Sequence, residues 1–244
     1  MSVSPAIPPI NAADFPEGQA EWISTLHESV GRALLDLDRD QRGMLRRVWE
    51  YMANHTTPPP LKLFSQIPQA LALLVELSAA HLLLYDGQLR SVLQAPPFSA
   101  IQTPHQIKAF GWERVYITSP LDAPLALLIY GPNVWMEMRT VCPQTGASLV
   151  YRLMMQEDGG LVPEQPGDAV SWRLWIPLPQ QSLEEPAYVF NRRRSQIRFF
   201  QTEADLERFR MRQGGAEGMV FTCQQALAFS RQILALYALL WRTN

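Results

Sequence analysis

Two proline breaks constrain this chain more than any other feature, because its apolar residues follow a helical spacing before them and a two-residue alternation after them. Successive prolines lack backbone donors and hold the preceding residue away from the helical region, so each break ends a regular element. Before the first, Thr57-Pro-Pro-Pro60, the residues Trp22, Leu26, Val30, Leu34 and Leu37 recur at helical spacing. Leu45, Val48, Trp49 and Met52 do the same after the polar Asp38-Arg-Asp40. Residues before Asp14 read as a flexible arm. Asp14-Phe-Pro-Glu17 offers a cap with a carboxylate three positions later, which predicts a helix start there.

A third helix is predicted from Pro68 toward Ala80, apolar on most faces and therefore expected to be buried. Leu82–Tyr85 and Gln88–Val92 then flank Asp86-Gly87, a pair favoured in two-residue hairpin turns. Three helices and a hairpin outline a winged helix, and the second break, Pro96-Pro97, marks its expected end. The period then changes. Val134, Met136 and Met138 alternate with Trp135, Glu137 and Arg139, and Leu149, Tyr151 and Leu153 with Val150 and Arg152. These two strands are expected to pair through Cys142-Pro-Gln-Thr-Gly146. Val170, Trp172, Leu174 and Ile176 predict another strand and Gln196–Phe200 a short one. Thr202 caps a helix that ends at Gly214-Gly215, and a last helix runs from about Gln224 to Arg242.

The mixed order of elements predicts an α+β protein. Its expected parts are a helical, winged-helix-like N-terminal domain (1–98) and a mixed, mainly antiparallel sheet core with flanking helices (99–244). A chain of 244 residues that is 47% hydrophobic has room for both.

A formal net charge of -2 gives no global attraction to nucleic acid or anionic membrane. Two cysteines, Cys142 and Cys223, build neither a disulfide framework nor a zinc site of the Cys-x-x-Cys type, which points to a reducing, cytoplasmic setting. The proline-broken N-terminus has no basic residue and does not read as a secretory signal. The apolar stretch Leu234–Trp241 is far below the roughly 18 residues needed to span a bilayer. It either closes the core or forms a homodimer face.

Few residues suggest chemistry. Ser119 and Asp122 are three apart, so on a helical turn they point the same way, and Asp122 can donate a proton if burial raises its pKa. The same residues also fit an ordinary turn, with Ser119 as cap and Asp122 near the first-turn N–H groups. Cys142 reads as a soft-metal ligand or as a small buried hydrophobe. Cys223 stands at the start of the last helix, where the dipole can lower a thiol pKa, or else it packs under Phe221. His27, His55, His81 and His105 are scattered and build no Ser-His-Asp set. Arg192-Arg193-Arg194 with Arg198 forms the main basic cluster, able to bind an anion or pair with Asp122, or to serve as a solvated strand edge.

Tyr116-Ile-Thr-Ser119-Pro-Leu-Asp122, the Cys142-Pro-Gln-Thr-Gly146 turn and Arg194-Ser195-Gln-Ile-Arg-Phe199-Phe200 together resemble the alkylmercury (organomercurial) lyase family. In that family the first segment reads Tyr-x-x-Cys-x-x-Asp, with a thiolate that holds mercury and a carboxyl that protonates the departing carbon. The resemblance runs from about Val115 to the final helix. It places Ser119 at the first reactive cysteine, Asp122 at the proton donor and Arg194 or Ser195 at a second cysteine, and it gives Cys142 a structural role. Neither reactive thiol is present here, and thiolates bind soft metals far better than hydroxyls do.

The resemblance therefore implies a lyase-like protein with a degenerate thiol site and altered or lost activity. The alternative is a non-catalytic small-ligand binding or sensor protein on the same scaffold, its pocket lined by Ser119, Asp122, Arg194 and Ser195. A winged-helix DNA-binding regulator is the third reading, disfavoured because Pro68–Ala80 carries no Arg or Lys. The expected partner is a small-molecule or organometal ligand, with no resident metal or cofactor, no nucleic acid and no membrane.

Overall fold

A computed structural model describes residues 7, 11, 14–15, 19–164, 167–178 and 193–242. Of the predicted helix start Asp14-Phe-Pro-Glu17, the residues Pro16 and Glu17 lie outside them, as does the basic residue Arg192. Helices α1 (Gln19–Leu35) and α2 (Arg39–Met52) bury the stripes their periodicity marks, and α2 opens with a capping box between Asp38 and Gln41. Phe15 is buried edge-on against Phe221 and Phe229, which docks the chain ahead of α1 onto the C-terminal part of the molecule.

Helix α3 (Ala70–Ala79) departs from expectation. It buries Leu73, Leu74 and Leu77 but leaves Leu71 and Val75 each 51% exposed. An all-apolar helix laid on a surface can bury only one stripe, and uniform composition gives no sign of which face is left out.

The strands β1 (Leu84–Asp86), β2 (Ser91–Ala95), β3 (Phe98–Ser99), β4 (Gln106–Ala109), β5 (Val115–Ile117), β6 (Trp135–Val141), β7 (Ser148–Met155) and β8 (Leu161–Glu164) form one sheet in the order β1-β2-β3-β5-β4-β6-β7-β8. Every pairing in it is antiparallel, and it runs without interruption past Pro96-Pro97. The β1–β2 connection is longer than the expected two-residue turn. Asp86 pairs with Ser91, and the Asp86 carboxylate accepts from the Gln88 and Leu89 N–H groups at 2.8 and 2.9 Å, closing the loop by a side-chain route. The β6–β7 hairpin forms as its alternation dictates. Met136, Met138, Thr140, Leu149, Tyr151 and Leu153 face inward, and Cys142 closes the turn by donating its N–H to Ala147 and accepting from Gly146.

A second sheet, β10-β9-β11, comprises β9 (Arg173–Pro177), β10 (Arg198–Phe200) and β11 (Gly218–Thr222). The strand expected to include Val170 begins only at Arg173. Residues Gly167–Ser171 form a 3-10 turn instead, and Val170 is 82% exposed. Helix α4 (Leu127–Tyr130) follows a 3-10 segment over Pro120–Ala126, and α5 (Glu203–Arg212) is capped by Thr202. The last helical stretch is two helices, α6 (Cys223–Tyr237) and α7 (Leu239–Arg242), separated at Ala238. Its apolar side closes the chain's own core: Leu236, Leu239 and Leu240 are buried, and the Tyr237 ring stacks on Trp49 at 5.5 Å. The architecture is α+β with a mainly antiparallel sheet.

Candidate functional site

The site forms where β5 ends. Ile117 donates its N–H to His105 and Thr118 to Pro97, so the strand is held to its last residue before the chain turns at Ser119. Pro120 opens the 3-10 segment, having no N–H to leave unpaired there, and Asp122 closes the first turn by donating its N–H to the Ser119 carbonyl at 3.1 Å. Two further bonds fix the segment. Tyr151 of β7 donates to the Pro120 carbonyl and Ser230 of α6 to the Leu121 carbonyl, each at 3.3 Å.

This turn carries Asp122 into the core, where it is 1% exposed. Ser119 does not cap the turn. Its hydroxyl donates to Asp122 Oδ2 at 2.8 Å, and Thr118 donates to the same oxygen. Arg194 Nη1 lies 3.1 Å from the other oxygen, Oδ1, and Arg194 is likewise 1% exposed. The Arg194 guanidinium also lies 5.9 Å from the centre of the Tyr237 ring, so an acid and an aromatic face enclose it. Burial raises the Asp122 carboxyl above the ordinary carboxylate range, and Arg194 and the two hydroxyls oppose that shift by favouring the anion. Asp122 raises Arg194 in turn.

Three of the four expected residues, Ser119, Asp122 and Arg194, thus meet at one carboxyl group. Ser195 does not join them: its carbonyl accepts from Arg198, and no hydrogen bond among the described residues ties its hydroxyl to Asp122. Thr118 and Tyr237 complete the arrangement and carried no distinguishing sequence signal.

Both cysteines are buried and neither forms a disulfide. Cys142 is fully enclosed at the β6–β7 turn. Cys223 lines a small cavity with Pro120, Leu121 and Tyr151, beside the Asp122 turn. Burial pushes its thiol up to about 11, the reverse of the helix-dipole expectation, because removal from water outweighs a dipole effect of at most a few kcal/mol. His105 is a satisfied core histidine. Its Nδ1 lies 2.6 Å from Thr140 Oγ1, and Arg198 donates to Nε2 at 3.2 Å. No group of three His, Cys, Asp or Glu among the described residues is placed to hold a metal ion, and no helix among them is long and apolar enough to cross a membrane.

A mainly antiparallel sheet with helices packed against it makes the architecture α+β. The chain is similar in fold to the crystal structure of the mercury-bound form of MerB2, with a TM-score of 0.61 and 16% sequence identity over 87% of this chain and 98% of that one. At that identity the likeness is one of fold. No family model matches the sequence, and no curated protein matches it.

Proposed function

We propose that this chain is an alkylmercury lyase-like scaffold that has lost carbon–mercury protonolysis and serves as a non-catalytic small-ligand binding protein. The observation that carries this reading is the Asp122–Arg194 pair. The resemblance places Arg194 or Ser195 where the family has a reactive cysteine, and a guanidinium there repels a mercuric cation that a thiolate would hold. The same guanidinium occupies the carboxyl group the family uses to protonate carbon. The fold shared with a mercury-bound protein supports the scaffold. The missing thiols and the ion pair support the change of function.

Mercury retention tests this. Protein exposed to mercury(II) and then dialysed against excess small thiol is expected to keep less than a tenth of an equivalent. About one equivalent kept by the wild type and lost in Cys223→Ser or Cys142→Ser would mean that a remaining thiol serves as mercury ligand, and would overturn the reading.

A further inference from the structure

The basic cluster Arg193, Arg194 and Arg198 divides in the fold. Arg194 enters the core and meets Asp122, whereas Arg193 and Arg198 line a separate cavity of about 650 Å³ at the edge of the small sheet. That volume is in the range of small-molecule sites. Its apolar wall includes Trp175, Leu178 and Phe209, and Glu217 is the acid among its described lining residues. Trp175 is buried, Leu178 and Phe209 are half-buried, and Glu217 is exposed at the rim.

The two arginines lack what normally accompanies a half-buried cation. Neither has a carboxylate within ion-pair distance among the described residues, although Arg173, Arg208 and Arg210 nearby in the chain each do. Their neighbours are neutral acceptors. Arg193 Nη1 donates to the Leu178 carbonyl at 2.9 Å, and Arg198 Nη1 to the Ile197 carbonyl at 2.9 Å, to the Ser195 carbonyl and to His105 Nε2. Neutral acceptors fix a guanidinium in place without cancelling its charge. Burial acts against the charge on Arg198, which an anion in the cavity would relieve.

We infer that this cavity binds a small organic monoanion, a carboxylate on a flat apolar body, with Arg198 and Arg193 holding the carboxylate and Trp175 and Phe209 covering the body. A dianion is disfavoured because Glu217 stands at the rim. This deepens, and rests on, the reading of the chain as a ligand-binding protein, but it places the ligand away from Asp122.

The test is calorimetric titration of the full chain with 1-naphthoate, with 1-naphthalenemethanol as the uncharged counterpart and inorganic phosphate as the anion without a body. Saturable 1:1 binding of naphthoate is expected, with both controls at least tenfold weaker. Arg193→Gln and Arg198→Gln should each weaken it about tenfold, in line with the loss of one charge-assisted contact. Glu217→Gln, at an exposed position, should tighten it severalfold and guards against misreading a folding defect in the Arg198 variant. No naphthoate binding to the wild type, or equal binding of the alcohol, overturns the inference. Binding that Arg193→Gln and Glu217→Gln leave unchanged overturns this location while leaving the ligand-binding reading intact. Benzene release from phenylmercury by the same preparation is the separate result that would sink that reading.

Discussion

Arg194 Nη1 lies 3.1 Å from Asp122 Oδ1, and each side chain is only 1% exposed. Removing either partner leaves an uncompensated buried charge, a loss of about 3–5 kcal/mol. Asp122→Asn and Arg194→Met are each expected to lower stability by that amount in urea denaturation. The double variant should cost clearly less than the sum, because it leaves no orphan charge. Additive costs would show that the two groups do not interact.

Much of this arrangement was legible beforehand. Asp122 and Ser119 stand three apart, and the basic cluster offered Arg194 as a partner for the acid. Thr118 could not be singled out, because an ordinary threonine at a strand end gains its role only when the turn folds its hydroxyl back onto Asp122. The β6–β7 hairpin was readable since its alternation is strict and one face is buried. Helix α3 is legible as a helix, but which of its faces is buried is not, because a uniformly apolar segment hides the stripe. The Asp86 loop was misread because the Asp86 side chain, not a two-residue backbone turn, organises it.

His105 is expected to weaken the fold in acid. Its folded pKa is lowered to about 3 by burial first and by Arg198 second, against 6.5 ordinarily. Between those values the unfolded chain binds the proton and the folded chain does not, so stability is intact above about 6.5 and falls as pH drops toward 3. At about 1.4 kcal/mol per unit the full loss is on the order of several kcal/mol. Asp122 acts in the opposite sense, its raised folded pKa favouring the fold at low pH and losing that contribution as pH rises through it. Urea midpoints measured from pH 7 to pH 4 should fall steeply in the wild type and less in His105→Gln. Equal slopes would remove His105 as the cause.

Both thiols should be inert in the folded protein. Cys142 is fully buried and so shielded from reagents, and Cys223 is 6% exposed with its thiol pushed up to about 11, so Cys223 forms little thiolate at neutral pH. A chromogenic disulfide reagent at pH 7.5 is expected to react at least a hundredfold more slowly with native protein than with protein in urea, where two equivalents should appear. Fast native reaction of Cys223 would contradict its assigned surroundings.

Gly218 is held by space rather than by backbone angle. A Cβ there would lie 1.9 Å from the Trp175 indole nitrogen and 2.7 Å from the Ile176 carbonyl oxygen, closer than real contacts permit. Gly218→Ala must therefore move Trp175 or part the β9–β11 pairing at Pro177, and a cost of about 1–3 kcal/mol is expected by thermal or urea denaturation. Unchanged stability would show that the indole moves freely.

The central claim is that a buried ion pair stands where the lyase chemistry would need a thiol. Incubating the purified protein with phenylmercury and excess small thiol, and measuring benzene by gas chromatography, tests it most directly. Release equal to the protein-free control is predicted for the wild type. Protein-dependent release that is abolished in Asp122→Ala would contradict it, because it would mean that Asp122 still protonates carbon despite Arg194.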